Sequence, residues 1–465
     1  MPDAGRLRGM QILLVLASTT AFVEVVVYGL IIGPRTGDAV LYDLLGRTLA
    51  ATGIYARHVT ETGIVPEPLR TVGYPGFLAV LYRIVGDGYS VVVAGQAALL
   101  ATVPPAVFFI SRRFLSPRLS LCAAWAIPLY LPLAYWGAWV YSDLLAACAF
   151  TLGIAALVWA SEGNPSSRAA IAGALFGWAA VTRPTLLYVS LAVAAWLLVD
   201  PLRGRTLPRR SAVALLAALL IFPGLSTMYT KVIFGRYAEV AVGPEVPLWD
   251  GYWQGMFPGG VTVELETLGA SGASAEAIEQ RVRELPVAPE QAIPFVKEWA
   301  EIARLSTIDP LSPPVREVGA ELALQGVALS FAKQDIPNDV AGYLFRGLTY
   351  RTFVLWASEV PIPYEEIDRL PRILIYLMWI PQLALLPLAL AGVISAHRRS
   401  HLVAILTVVL VSMWLVHFPF HTQARYALPA KPVVLMLAVA GLAWLADALR
   451  RRFGVPPGPA RLSTG

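Results

Sequence analysis

Charge is scarce in this chain. Only 14% of its 465 residues are Asp, Glu, Lys or Arg, while 57% are hydrophobic. A soluble globular protein carries roughly 25% charge, so the deficit excludes that class and leaves a polytopic membrane protein. Cysteine is nearly absent. Cys122 and Cys148 both lie in apolar runs, which argues against a disulfide framework or thiolate metal site and for small buried hydrophobes. No basic-aromatic patch of the kind that binds nucleic acid occurs. Nor is there an internal repeat, a coiled coil or an acidic cluster suited to a divalent metal.

Long apolar runs are what the chain has in abundance. A spanning helix needs about 20 mostly apolar residues. Ten segments are read as spans: 9–32, 89–111, 119–138, 144–161, 169–183, 185–200, 211–229, 371–395, 402–419 and 429–448. The first has a basic start like a signal peptide, but the run is too long and lacks a small-residue cleavage site, so it reads as an uncleaved span. The expected fold class is an all-α polytopic membrane protein with about ten spans and helices in its outer loops.

Arginine tests the topology, because Lys and Arg near span ends stay cytoplasmic. With the N-terminus inside, the inner segments hold Arg6 and Arg8; Arg112, Arg113 and Arg118; Arg168; Arg203, Arg205, Arg209 and Arg210; Arg398 and Arg399; and Arg450, Arg451 and Arg452. Every second connection carries arginine, so both termini are expected in the cytoplasm. The chain then divides into a membrane module over 1–229 with a first outer loop at 33–88, an outer loop domain at 230–370, further spans at 371–450 and a tail at 451–465. Within the outer domain, AEAIEQRVREL, PEQAIPFVKEWAEIARL and VREVGAELALQGVALSFA have helical spacing, whereas PGGVTVE and the prolines signal turns.

The topology gathers polar groups at one leaflet. Asp38 follows the first span, Asp143 opens the fourth, and Glu24 lies inside the first, about two turns below its outer end. Arg70 precedes a GYP turn, Arg183 sits at the break between spans five and six, and Arg425 precedes the last span. Ionisable groups inside a span need partners or water. Alone, Asp38 reads as a helix cap and the loop charges as solvated. Together, the guanidinium forks suit a phosphate and a nearby carboxylate suits a general base. That combination fits group transfer from a lipid phosphate. His417 and His421 are four apart, but Pro419 between them argues against a helical metal pair.

Five motifs in order carry a family resemblance. Asp38 and Tyr42 are followed by ATGIY (51–55) and RTVGYPGFLAVLYRIVG (70–86). Tyr141-Ser142-Asp143 opens a span, GALFGWAAVTRPTLLYV covers 173–189, and QARYALPAKPVVLMLAVAGLAWL covers 423–445. This order resembles the GT-C superfamily of polytopic glycosyltransferases, in the branch related to dolichyl-phosphate-mannose protein mannosyltransferases and lipid A aminoarabinose transferases. It covers the first 200 residues and the last 45 or so. Two departures stand out: Ala39 follows Asp38 where relatives carry a second acid, and Arg70 stands where relatives have lysine.

The resemblance implies an inverting transfer from a polyprenyl-phosphate sugar to a glycan, lipid or protein acceptor, in the manner of a mannosyltransferase, outside a plasma (inner) membrane. Asp38 would be the base, assisted by Asp143 or more weakly by Asp43. Arg70, Arg183 and Arg425 would bind the donor phosphate. Tyr74, Tyr426 and Trp249 would shape the pocket, with Tyr42 and Glu24 in support and no metal or covalent cofactor. The competing expectations are a transporter or flippase without covalent chemistry, which would normally show a repeat, and a non-catalytic assembly partner working through its outer loop.

Overall fold

Helices occupy all ten apolar segments of the computed structural model, which describes residues 4–33, 38–60, 63–67, 69–162, 165–199, 207–235, 245–306, 318–362, 371–397 and 400–453. Arg203, Arg205, Arg398, Arg399 and the tail from 454 onward lie outside the described residues. Among the described residues, six helical stretches are long and apolar enough to cross a membrane: Leu7–Ile32, Tyr89–Ser111, Ser142–Ala160, Arg209–Phe234, Arg372–Ala396 and Ala424–Arg452. A seventh forms if Pro117–Leu129 and Leu131–Gly137, bent by 47°, count as one. The expected ten spans are therefore not all present as full-length crossings. Thr185–Val199 and His401–His417 have 15 and 17 residues, short of the ~20 that span a bilayer. The bend has a local cause: Pro128 lies inside one helix and Pro132 at the start of the next, and each lacks an N–H for the helical ladder.

Close helix contacts use glycine. Gly173 and Gly177 sit on the Pro165–Thr182 helix, where a Cβ would collide with the Leu215 and Leu219 carbonyl oxygens of Arg209–Phe234. This is the small-residue spacing that lets membrane helices approach backbone to backbone. Gly73 matters more for the site. A Cβ there would lie 2.5 Å from both the Val181 carbonyl oxygen and Thr182 Oγ1, so only glycine lets RTVGYP press onto the Thr182-Arg183-Pro184 break.

Two outer features depart from expectation. The first outer loop is not purely helical: after the Asp38–Thr52 helix, Ala56–Thr60 and Gly63–Pro66 pair as an antiparallel hairpin. PGGVTVE is not a turn either. Pro258 stands just before the Gly259–Ala270 helix, and a prolyl φ is already set for helix entry. Cys122 is exposed on its helix and only Cys148 is buried; an apolar run in a membrane protein has a lipid-facing side as well as a packed one.

The outer unit has its own core. Trp249, Tyr252, Trp253, Phe257 and Phe295 pack with Leu265 and Val296, and the Trp249 and Trp253 Nε1 groups donate to Glu298 Oε2 at 2.6 and 3.1 Å. Trp249 is thus fully buried here and lines no membrane-side pocket, correcting the expectation for it. The unit clamps the chain that follows His401–His417. Buried Arg351 donates to the carbonyl oxygens of Gly251 (2.5 Å), Tyr343 (2.8 Å) and Phe418 (3.1 Å). Gln254 exchanges two hydrogen bonds with the Thr422 backbone at 2.6 and 2.8 Å.

Burial pushes the Glu298 carboxyl up to about 7, against the two tryptophan N–H groups that hold it down. Such a group stabilises the fold below its unfolded value and loses that contribution as pH rises toward its folded value. Melting followed by tryptophan fluorescence is expected to give a midpoint that falls between pH 5 and pH 8. The fall is expected to be smaller in Glu298→Gln, which keeps an acceptor for the tryptophans; an equal fall in both proteins would contradict the assignment.

Candidate active site

One cavity of about 350 Å³ is lined by Asp38, Tyr42, Arg70, Asp143, Arg183, Arg425 and Tyr426, with Thr71, Tyr141, Ser142, Thr182, His417 and His421 among its other walls. These residues come from segments far apart in the chain, and different local structures deliver them.

Asp38 is the first residue of the Asp38–Thr52 helix, and Asp143 lies in the first turn of Ser142–Ala160. A helix N-terminus favours a carboxylate because unpaired N–H groups concentrate positive potential there. The environments of the two acids differ. Asp38 Oδ1 accepts from Arg70 Nη2 at 2.5 Å, with the carboxylate side chain 40% exposed. Asp143 has a side chain only 3% exposed. Its Oδ1 pairs with Arg183 Nη1, and its Oδ2 lies 4.0 Å from Arg425 Nη1.

Each arginine is held by its own scaffold. Arg70 ends a brace built on the hairpin. Buried Glu67 accepts the Leu69 and Arg70 N–H groups at 2.7 Å each through Oε1, and Arg57 Nε at 2.6 Å through Oε2. The Tyr55 hydroxyl donates to the Arg70 carbonyl oxygen at 2.7 Å. Arg183 follows Pro165–Thr182; its N–H still bonds the Ala179 carbonyl oxygen at 2.8 Å, and Pro184 then prevents continuation. The Arg183 guanidinium lies 4.3 Å from the Tyr426 ring centre. Arg425 precedes the last long helix in a 3₁₀ segment, Ala424–Ala430. Its guanidinium faces the rings of Tyr141 (4.8 Å), Trp136 (5.3 Å) and Tyr426 (5.8 Å), and Nε donates to Gln423 Oε1 at 2.8 Å. Stacked rings favour arginine because its planar charge is weakly hydrated.

Besides Trp249, three expected site residues are not brought to the cavity. Tyr74 is fully buried behind Tyr42, ring centres 5.1 Å apart, and its hydroxyl bonds Gln96 Oε1 at 3.3 Å. Asp43 faces the other side of its helix, accepting from Tyr82 at 2.5 Å and Arg47 at 2.8 Å. Glu24 stays within the first span, where its Oε2 is buried without a hydrogen-bond partner among the described residues.

Sequence reasoning missed other participants. Ser142, Thr71 and Thr182 line the cavity but carry no signal outside their motifs. Glu359 is buried and accepts from Trp136 Nε1 at 3.0 Å, supporting the ring beneath Arg425. Burial pushes the Glu359 carboxyl up to about 7. His417 and His421 both line the cavity, but His417 Nδ1 lies 2.8 Å from the Met413 carbonyl oxygen and His421 Nδ1 lies 2.8 Å from Asp250 Oδ2. No group of three metal-ligating side chains exists among the described residues.

The contrast between the two acids is measurable. Removing one member of a buried pair leaves an uncompensated charge at a cost of about 3–5 kcal/mol, whereas exposed pairs contribute about 0–1 kcal/mol. Asp143→Ala is therefore expected to lower thermal stability strongly in detergent or nanodiscs, and Asp38→Asn to leave it nearly unchanged. Equal effects would contradict the burial difference.

A family model described as dolichyl-phosphate-mannose-protein mannosyltransferase matches residues 70–229, which includes Arg70, Asp143 and Arg183. The comparison with curated proteins found no match. Among solved structures, the oligosaccharyltransferase AglB from Archaeoglobus fulgidus, in complex with an inhibitory peptide and a dolichol-phosphate, aligns over 97% of this chain and 52% of its own at TM-score 0.53 and 13% identity. The apo form of the A. fulgidus enzyme aligns over 96% and 52% at TM-score 0.51 and 13% identity. ArnT from Cupriavidus metallidurans bound to undecaprenyl phosphate aligns over 97% and 80% at TM-score 0.38 and 15% identity. The chain spans about half the length of the archaeal enzymes. At such identity the archaeal alignments establish the fold. This is a multi-pass membrane protein with a GT-C-like fold, and over residues 70–229 it resembles the dolichyl-phosphate-mannose protein mannosyltransferases.

Proposed function

We propose that the chain is an inverting glycosyltransferase that moves a sugar from a polyprenyl-phosphate donor to an acceptor hydroxyl at the extracytoplasmic boundary of the inner membrane. The observation that carries this reading is the meeting of three guanidinium groups and two carboxylates in one cavity among apolar helices. Three positive charges against two negative leave the cavity cationic, matched to an anion. Arg70 and Arg183 also keep unused donors: the Nε of each is buried without a hydrogen-bond partner among the described residues. A guanidinium has five donors and no acceptor, and a phosphate offers it several acceptor oxygens together with the opposite charge.

In the proposed reaction the acceptor oxygen attacks the anomeric carbon as Asp38 takes its proton. The bond from that carbon to the phosphate oxygen breaks on the opposite face, and the electron pair leaves with the polyprenyl phosphate. Arg70, Arg183 and Arg425 stabilise the charge that grows on the leaving group. Asp143, shielded and already neutralised, orients Arg183 and Arg425. Asp38 is the better base candidate because it is the accessible acid of the two. The flanking helices would hold the lipid tail. The AglB structure contains a dolichol-phosphate, a ligand of the chemical class this cavity suits. The outer unit, which reaches the cavity through Pro247, would help select a glycan, lipid or protein acceptor.

Transfer of labelled sugar from polyprenyl-phosphate donors in native membranes tests the reading. Loss of a general base typically lowers rate by roughly 10²–10⁴-fold. Asp38→Asn is expected to show a fall of that order while the protein still inserts and melts normally. Undiminished transfer by that variant would sink the assignment of Asp38.

A further inference from the structure

We propose that His417 reads a hydroxyl of the donor sugar. The inference rests on the polyprenyl-phosphate sugar reading above and adds to it a residue that no motif contains. His417 closes the His401–His417 helix, is 2% exposed, and lines the cavity between Val416 and Phe420. Its Nδ1 lies 2.8 Å from the Met413 carbonyl oxygen, one turn earlier on the same helix. A carbonyl oxygen only accepts, so Nδ1 carries the hydrogen and donates it. In the neutral ring the opposite nitrogen, Nε2, then has a lone pair and no hydrogen. Nδ1 is thus spent on its own helix, which leaves Nε2 as the uncommitted polar atom of a residue that lines the cavity.

Nε2 is buried and has no hydrogen-bond partner among the described residues. Native folds rarely leave a buried acceptor unmade, and such groups call for a ligand or a role. The partner it needs is a donor. An ionised phosphate has no proton to give, and an isoprenoid tail has no polar group. Arg183 pairs with Asp143 and lies against the face of Tyr426, and its spare Nε donor does not bond His417 Nε2, since neither atom has a hydrogen-bond partner among the described residues. A sugar hydroxyl has both the proton and the position, next to the guanidinium groups proposed to hold the phosphate to which the sugar is joined. The Tyr426 ring flanks the imidazole, centroids 5.7 Å apart, so a polar acceptor and an aromatic face stand side by side. His421 does not share this property: its side chain is a quarter exposed and its Nδ1 faces Asp250 of the outer unit.

The test compares dissociation constants of the full-length protein in nanodiscs for polyprenyl phosphate, polyprenyl-phosphate-mannose and polyprenyl-phosphate-glucose. Wild type is expected to bind one glycolipid roughly tenfold more tightly than the bare lipid, the scale of one buried hydrogen bond. In His417→Phe that ratio is expected to fall to about one, and His417→Gln, which places an acceptor oxygen near the lost Nε2, to recover most of it. The inference is overturned if the ratio survives in His417→Phe, if bare lipid and glycolipid weaken by the same factor, if Gln performs no better than Phe, or if wild type does not distinguish the lipids. Failure of wild type to bind even bare polyprenyl phosphate is a separate result: it removes the donor reading itself and the sugar subsite with it.

Discussion

A carboxylate taken out of water at the end of a membrane helix stays charged only where cations surround it, and the Asp143 environment is organised around that need. Arg183 pairs with one carboxylate oxygen and Arg425 approaches the other at 4.0 Å. Each guanidinium is in turn backed by aromatic faces, Tyr426 for Arg183 and Tyr141 with Trp136 for Arg425. The arrangement is over-supplied with positive charge once Arg70 is added. Buried ion clusters seldom raise stability above that of a packed apolar core. The surplus of positive charge is what the donor phosphate would balance under the proposed function.

The surrounding architecture serves to hold those three cations at fixed positions. Gly73 permits the first outer loop to sit directly on the break at Thr182, which brings the Arg70–Asp38 pair beside Arg183. The hairpin and its buried Arg57–Glu67 pair fix the backbone of Arg70. The outer unit does the same for Arg425 through Arg351 and Gln254, which bind the backbone of the strap between His417 and Gln423. The outer unit therefore shapes the cavity from behind as well as lining it at Pro247, and under the proposed function acceptor choice and phosphate geometry would be mechanically linked. Glu359, holding Trp136 beneath Arg425, extends the support on the membrane side.

Much of this was legible in the residues. Apolar runs mark the helices because no other backbone satisfies its own hydrogen bonds in lipid. Alternating arginine clusters assigned the acids and arginines to one leaflet, and the structure gathers Asp38, Asp143, Arg70, Arg183 and Arg425 in one cavity. The failures have local causes. The hairpin at 56–66 is short, charged and next to a helix, so its two-residue period had too few repeats to register. Tyr74 and Trp249 are aromatic residues in suggestive places, but only three-dimensional packing separates a pocket wall from a core, and both belong to cores. Asp43 lies five residues from Asp38, which turns it to another face of the helix. His417 drew notice only as half of a histidine pair, because the property that the proposed sugar contact rests on, one buried nitrogen without a hydrogen-bond partner among the described residues, is one that spacing cannot express.

A cavity that is cationic, set among apolar helices and equipped with an accessible carboxylate ties the proposed function to one requirement above all: that the phosphate of a polyprenyl lipid sit among the three arginines. An experimental density map of the protein with polyprenyl phosphate bound tests this most directly. The account predicts the phosphate inside the cavity, within hydrogen-bond reach of Arg183 and at least one of Arg70 and Arg425, with the tail running outward between helices. A phosphate bound elsewhere, or at the opposite leaflet, would contradict it.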